Sequence, residues 1–211
     1  MIRTRSLVRR TAAVAAAGAA TLVLAACGGS GDTTAGHSGH GATASPSASA
    51  SASMSQRQHN AADVAFAKGM IPHHRQAVEM ADLAPDRARS AEVRKLAADI
   101  KKAQDPEIKT LSGWLTSWGE EVPAEGAMDH SVHDMGGMMT ADEMTELENS
   151  SGKAFDTAFL EMMVKHHEGA VEMAKTEQAG GAYGPATRMA GAIISTQSTE
   201  IEQMNELLGK G

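Results

Sequence analysis

The chain has 211 residues, a formal net charge of -7 and only 3% aromatic residues. This acidic balance excludes nucleic acid as a natural partner, because binding to phosphates needs clustered Lys and Arg. Low aromatic content beside 14 methionines suits packed helices better than sheets. The chain has a single cysteine, which excludes an intramolecular disulfide.

Residues 1–26 have the features of an export signal. Four arginines precede an unbroken small and apolar run, which is shorter than the ~20 apolar residues needed to cross a bilayer. The run ends in Leu24-Ala25-Ala26-Cys27, which resembles the lipobox of bacterial lipoproteins. We therefore predict cleavage before Cys27, lipid on its thiol, and a protein anchored to the outer face of the cell membrane.

Residues 27–56 consist mainly of Gly, Ser, Ala and Thr, a composition that predicts a flexible tether. The folded domain then comprises residues 57–211. An internal repeat organises it, since residues 63–115 align without a gap on residues 156–208, with 17 identities in 53 positions.

Each copy of the repeat has an apolar stripe at helical spacing, a break, and a second stripe. The break lies at Ala84-Pro85-Asp86 in copy one and at residues 180–185 in copy two. Each copy is therefore predicted to be a helical hairpin. Two such hairpins predict an all-α protein, a ferritin-like four-helix bundle with pseudo-twofold symmetry.

Pro72 and Pro106 lie inside these stripes, where proline removes one helical hydrogen bond. Because copy two has no proline at either place, we predict continuous helices with kinks, although Pro106 could also restart a helix. The connector, residues 119–151, joins the copies. In it, Thr140 and Glu143 have the spacing of a capping box and predict a short helix toward Asn149.

Each repeat carries one His-His pair on its first stripe, with a methionine one turn earlier. If the two first helices pack together, four imidazoles converge near the symmetry axis. Imidazole suits several transition metals, and thioether sulfur narrows the choice toward Cu(I). Copper is thus the predicted metal, with zinc as the alternative, and the predicted ligands are Met70, His73, His74, Met163, His166 and His167. The competing interpretation is a set of hydrogen-bonded core histidines.

Gln104 and Gln197 are polar residues on otherwise apolar stripes, and we predict that they accept hydrogen bonds from the ring N–H groups of the ligating histidines. Asp63 and Asp156 either do the same or are exposed acids in the first helical turn. The connector is a second copper candidate, since Met and His are concentrated there, although a plain flexible linker is the alternative. Its residues are Met128, His130, His133, Met135, Met138 and Met139.

The pattern Asp, Phe, Met, His-His, Ala-Val-Glu-Met-Ala, then Gln-x-x-Glu-Ile occurs twice between Asn60 and Leu208. This pattern resembles the bacterial domain of unknown function 305 family. The resemblance implies a ferritin-like helical bundle in exported proteins, with some members linked to copper binding and resistance. It points to the same Met, His-His and Gln positions in both repeats.

These features favour a lipid-anchored binding protein, without enzymatic activity, that sequesters or hands on copper outside the membrane. The protein partner is not predicted. Two alternatives are a ferritin-like metal-dependent oxidoreductase and a structural or interaction bundle without metal. Di-iron bundles carry Glu-x-x-His, but the residues three positions before the four histidines are Met70, Ile71, Met163 and Val164. This difference disfavours the oxidoreductase.

Overall fold

The computed structural model describes residues 58–125 and 136–210. These ranges contain five α-helices, which are α1 (Ala61–Arg87), α2 (Ala91–Trp118), α3 (Ala141–Asn149), α4 (Gly152–Gly180) and α5 (Gly184–Leu207). Within them, no helix combines the length and apolar character needed to cross a bilayer. The predicted signal peptide, Cys27 and the tether lie outside the described residues.

Short polar motifs explain where the first three described helices begin. Asn60 caps α1, since its side chain accepts hydrogen bonds from the first turn while the Asp63 carboxylate accepts one from the Asn60 N–H. Ser90 caps α2 in a similar way. Thr140 and Glu143 form the predicted capping box at the start of α3, so the predicted short helix is confirmed.

The predicted continuity of the helices through Pro72 and Pro106 is confirmed, but Pro85 does not end the first helix. The first helix continues through Pro72 and Pro85, so the predicted break at residues 84–86 is wrong. Pro85 lies in the last turn, where its missing N–H costs one hydrogen bond and little helix remains to be disrupted. The second helix runs unbroken through Pro106, which excludes a helix restarting there.

The helices pack in the order α2, α1, α4, α5, with α1 and α4 as the central pair. The short helix α3 lies against both central helices. Equivalent residues of the repeat, His73 and His166, meet where α1 and α4 cross, so a pseudo-twofold axis passes between them. The predicted four-helix bundle of two duplicated hairpins is confirmed.

The apolar core is divided into two clusters by a belt of polar residues. One cluster joins the second half of α1 to the first half of α4, and the other joins the remaining halves. Buried histidines and glutamines lie between them. We term this belt, together with the two glutamates that bind the histidines, the polar layer: His73, His74, Gln104, Glu107, His166, His167, Gln197 and Glu200.

Two aspartates tie the turn of each hairpin to the first helix of the other. Asp63 accepts hydrogen bonds from the N–H groups of Ala182 and Tyr183, and Asp156 accepts them from those of Arg89 and Ser90. The two contacts are related by the repeat. These carboxylates therefore orient turns and not histidines. The alternative of an exposed acid is also wrong for Asp63, which is fully buried.

Candidate metal centre

The His-His pairs lie buried at the crossing of α1 and α4, and all four side chains are at most 1% exposed. The rings of His73 and His166 touch across the axis, with centroids 3.8 Å apart and an angle of 41° between their planes. Adjacent residues of a helix point ~100° apart. The second histidine of each pair therefore faces a different neighbour.

That neighbour is a glutamate on the second helix of the same hairpin. His74 Nε2 lies 2.7 Å from Glu107 Oε2, and His167 Nε2 lies 2.7 Å from Glu200 Oε2. Sequence reasoning missed both glutamates as partners of histidine. The repeat aligns them with each other, and that alignment was the available signal, but a helical glutamate is usually solvated.

Six of the eight ring nitrogens are buried and find no hydrogen-bond partner among the described residues. They are both nitrogens of His73 and His166, and the Nδ1 atoms of His74 and His167. Buried polar atoms in native proteins are nearly always satisfied by protein, water or a bound ion. So many unpaired nitrogens in one layer indicate a place for such a ligand.

Burial keeps the central imidazoles neutral. It lowers the pKa of His73 from 6.5 to about 3, and neighbouring histidines, when charged, lower it further. The nearby backbone of Gly136 raises the pKa of His73 and so opposes the effect of burial. Burial likewise lowers the pKa of His166 well below 6.5. A neutral imidazole keeps one lone pair, which is the form that binds metal ions.

The four imidazoles share one layer but do not converge on one point, which corrects the predicted cluster. In residues 58–125 and 136–210, no three His, Cys, Asp or Glu side chains are arranged to hold one ion. The rings of His166 and His167 have centroids 6.3 Å apart, much further than the touching pair. The helices direct the second histidine of each pair toward its glutamate, away from the axis.

The predicted thioether ligands lie on opposite sides of the polar layer. Met70 is fully buried in the apolar cluster that contains Ala170 and Ala174, and Met163 is fully buried in the cluster that contains Met80. Each methionine is one helical turn from a histidine pair. The structure therefore brings each of them to the edge of the layer but does not bring them together.

Gln104 and Gln197 lie in the polar layer, 2% and 3% exposed. Their Oε1 atoms find no hydrogen-bond donor in the described part of the chain. The predicted bonds from histidine rings to these glutamines are therefore absent. Glu107 and Glu200, one turn further along the same helices, accept those bonds instead.

The connector is only partly described. Met128, His130, His133 and Met135 lie outside the described residues, so the copper-collecting role stays a prediction for them. Met138 is half-buried, and Met139 is 3% exposed and belongs to an apolar cluster. Core packing is thus the observed role of Met139.

Residues 136–139, which we term the strap, cross both central helices beside the polar layer. The Gln76 side chain on α1 donates to the Met139 carbonyl at 2.9 Å and accepts from its N–H at 2.7 Å. On α4, a Cβ added at Gly169 would lie 1.8 Å from the Gly136 carbonyl oxygen. Gln76 and Gly169 are equivalent in the repeat, so the strap crosses the pseudo-twofold axis.

Known proteins share this architecture. The model of a family described as Domain of unknown function (DUF305) matches residues 63–208. A DUF305 protein from Streptomyces coelicolor is 36% identical with a TM-score of 0.64, over 71% of this chain and 91% of that protein. A DUF305 fragment from Deinococcus radiodurans is 30% identical with a TM-score of 0.64, over 72% of this chain and 98% of the fragment.

A further similar structure is that of CopM, which has been solved with Cu(I), Cu(II) and Ag bound and in the apo form. In its Cu(I)-bound form it is 32% identical with a TM-score of 0.58, over 69% of this chain and 94% of CopM. A comparison with curated proteins gave no match. Since the family model spans both repeats and well over half of the sequence, this chain belongs to the DUF305 family.

Proposed function

We propose that this protein binds copper in its polar layer, outside the cytoplasm, and sequesters it or hands it on without catalytic turnover. The observation that carries the proposal is a set of six buried imidazole nitrogens, on equivalent positions of the two repeats, that find no partner among the described residues. Imidazole nitrogen is a good ligand for copper in either oxidation state. Copper bound to some of these nitrogens would give them a partner that residues 58–125 and 136–210 do not supply.

The charges of the layer also favour a cation. His73 and His166 are neutral because burial lowers their pKa values. Glu107 and Glu200 each place a carboxylate against the Nε2 atom of a histidine. A cation entering a buried, apolar-flanked site loses hydration and needs nearby negative charge to compensate. A monovalent ion such as Cu(I) is less costly to bury here than a divalent one.

A similar solved structure supports the same metal. CopM has been solved with Cu(I), Cu(II) and Ag, and Ag(I) resembles Cu(I) in being a soft monovalent cation. The Streptomyces coelicolor relative is described as a secreted protein, which supports a location outside the cytoplasm. The lipobox that ends at Cys27 supports a lipid anchor there.

The test is a titration of the purified protein carrying Cys27→Ser, so that its thiol does not compete, with Cu(I), Cu(II) and Zn(II). The variant in which His73, His74, His166 and His167 become Ala should lose tight copper binding. A milder variant, His73→Gln with His166→Gln, keeps the layer polar, and circular dichroism verifies folding of both. Equal copper binding by the folded variants and the parent would refute the polar layer as the site.

The same titration separates the alternatives. A bundle without a metal function predicts no stoichiometric copper, and an oxidoreductase predicts oxygen consumption by the loaded protein. The anchor is tested in cells by metabolic labelling with a fatty-acid probe, which should label the parent protein and not Cys27→Ser. Equal labelling of that variant would contradict lipid attachment at Cys27.

A further inference from the structure

One nitrogen of His74 and one of His167 are already committed to a partner. In both repeats the Nε2 atom lies 2.7 Å from a glutamate oxygen, and the glutamate is 33 residues further along the chain. The Nδ1 atoms of these two histidines are buried and unpaired among the described residues. The two repeats have diverged at most positions, but they share this arrangement.

A neutral imidazole carries one N–H and one lone pair, on different nitrogens. An ionised carboxylate only accepts hydrogen bonds, so in neutral His74 the N–H is on Nε2 and the lone pair is on Nδ1. The same reasoning holds for His167 and Glu200. The glutamates therefore select the tautomer of their histidines.

We propose that Glu107 and Glu200 are positioning residues that make Nδ1 the metal-binding atom of His74 and His167, which rests on the copper-binding function proposed above. Metal-bound histidines usually donate their other N–H to a carboxylate or carbonyl, which fixes the ring and raises its basicity. Here the acceptor comes from the second helix of each hairpin. The outer helices thus contribute to a site whose ligands lie on the inner ones.

The central histidines differ from this pair in a useful way. Among the described residues, the ring nitrogens of His73 and His166 have no carboxylate partner that would select their tautomer. In two histidines of the layer, the nitrogen that can bind a metal is therefore fixed as Nδ1. In the other two, either ring nitrogen can bind it. The fixed pair lowers the ordering cost of binding, while the free pair can change its bonding atom as an ion enters or leaves.

The affinity test compares three double variants. Glu107→Leu with Glu200→Leu removes acceptor and charge and should weaken Cu(I) binding about 10- to 100-fold. Glu107→Gln with Glu200→Gln keeps an acceptor oxygen and should recover part of that loss. The control, Glu79→Gln with Glu172→Gln, changes exposed glutamates on α1 and α4 that are also repeat equivalents, and should bind copper like the parent protein.

The second measurement is ¹⁵N NMR of the histidine rings, with Ag(I) as a diamagnetic probe. The metal-free protein should show the Nε2–H tautomer for His74 and His167, and the leucine variants should lose it. On Ag(I) loading, the Nδ1 resonances should shift. A shift at Nε2, or leucine variants with unchanged affinity, would overturn the proposal. If the copper function itself fails, no histidine resonance responds to the metal and the His→Ala variant binds copper as the parent does.

Discussion

The two hairpins carry the same histidines and glutamates in the polar layer but differ outside it. Position 76 is glutamine in the first repeat, whereas its equivalent, position 169, is glycine in the second. Position 84 is alanine, whereas its equivalent, position 177, is a buried glutamate. The layer itself has kept its twofold symmetry, and the surroundings have lost it.

The strap gives a physical reason for the first difference. A single segment of chain that crosses a twofold axis cannot make the same contact with both hairpins. Its N-to-C direction relative to one hairpin is the reverse of its direction relative to the other. Gln76 binds the strap through its side chain, while Gly169 lets the strap backbone approach α4 directly. Each residue suits only its own side of the axis.

The largest effect is expected for Gly169→Ala. Alanine at an open helix position stabilises by ~1 kcal/mol relative to glycine, but here its Cβ would overlap the Gly136 carbonyl. The strap must move, and we expect the free energy of unfolding in urea to fall by about 2 to 3 kcal/mol. The strap should also become more susceptible to proteolysis.

The matched control is Gly113→Ala, because Gly113 lies in α2 and a Cβ there meets no atom within 4 Å. We expect this variant to be more stable than the parent protein. The two substitutions should therefore change the free energy of unfolding in opposite directions. A stabilised Gly169→Ala protein would show that the strap does not press on α4.

Much of the fold followed from sequence because duplication doubled the evidence for each helix. Equivalent apolar stripes located the hairpins and placed His73 and His166 on the faces that meet. The end of α1 was missed by a few residues, since a proline in a last turn disrupts little. The strap was not predicted, because it has no periodicity and breaks the symmetry on which the prediction relied.

The aspartates that hold the turns come next in expected effect. Asp63 is fully buried and accepts three backbone hydrogen bonds, from Asn60, Ala182 and Tyr183, whereas Asp156 is half-buried. Asp63→Asn should therefore lower the free energy of unfolding by about 2 kcal/mol, and Asp156→Asn by about 1 kcal/mol. Thermal and urea unfolding of both variants measure this, and equal losses would contradict the asymmetry.

The candidate site was predicted less completely than the fold. Spacing identified the histidines as a buried group, because an apolar stripe fixes which face is buried. It did not identify Glu107 and Glu200, since the sequence does not record where a long side chain points. Gln104 lies on the predicted face, but Glu107, one turn further along the helix, is the residue that contacts His74.

The smallest effect is expected from Glu177, a buried carboxyl group whose equivalent in the first repeat is Ala84. Burial, and then hydrogen bonding to Asp63, raise its pKa from 4.5 to about 8. The folded protein thus holds a proton that the unfolded chain releases. Its contribution makes the free energy of unfolding fall as the pH rises from about 4.5 to about 8.

At lower pH, the central histidines make the free energy of unfolding rise with pH, which is opposite to the effect of Glu177. Their pKa values are lowered from 6.5 on folding, so the unfolded chain binds more protons and stability rises with pH until about 6.5. Between about 6.5 and 8, the shift of Glu177 dominates. We expect the metal-free protein to lose about 1 to 2 kcal/mol over that interval.

Urea unfolding of metal-free Glu177→Gln at several pH values tests this. The amide cannot ionise, so the loss of stability between about pH 6.5 and 8 should disappear. Glu172→Gln, on the same helix but exposed, should keep it. A slope that persists in Glu177→Gln would mean that another group carries the proton. The difference between Glu177 and its equivalent Ala84 would then not explain the pH dependence of stability.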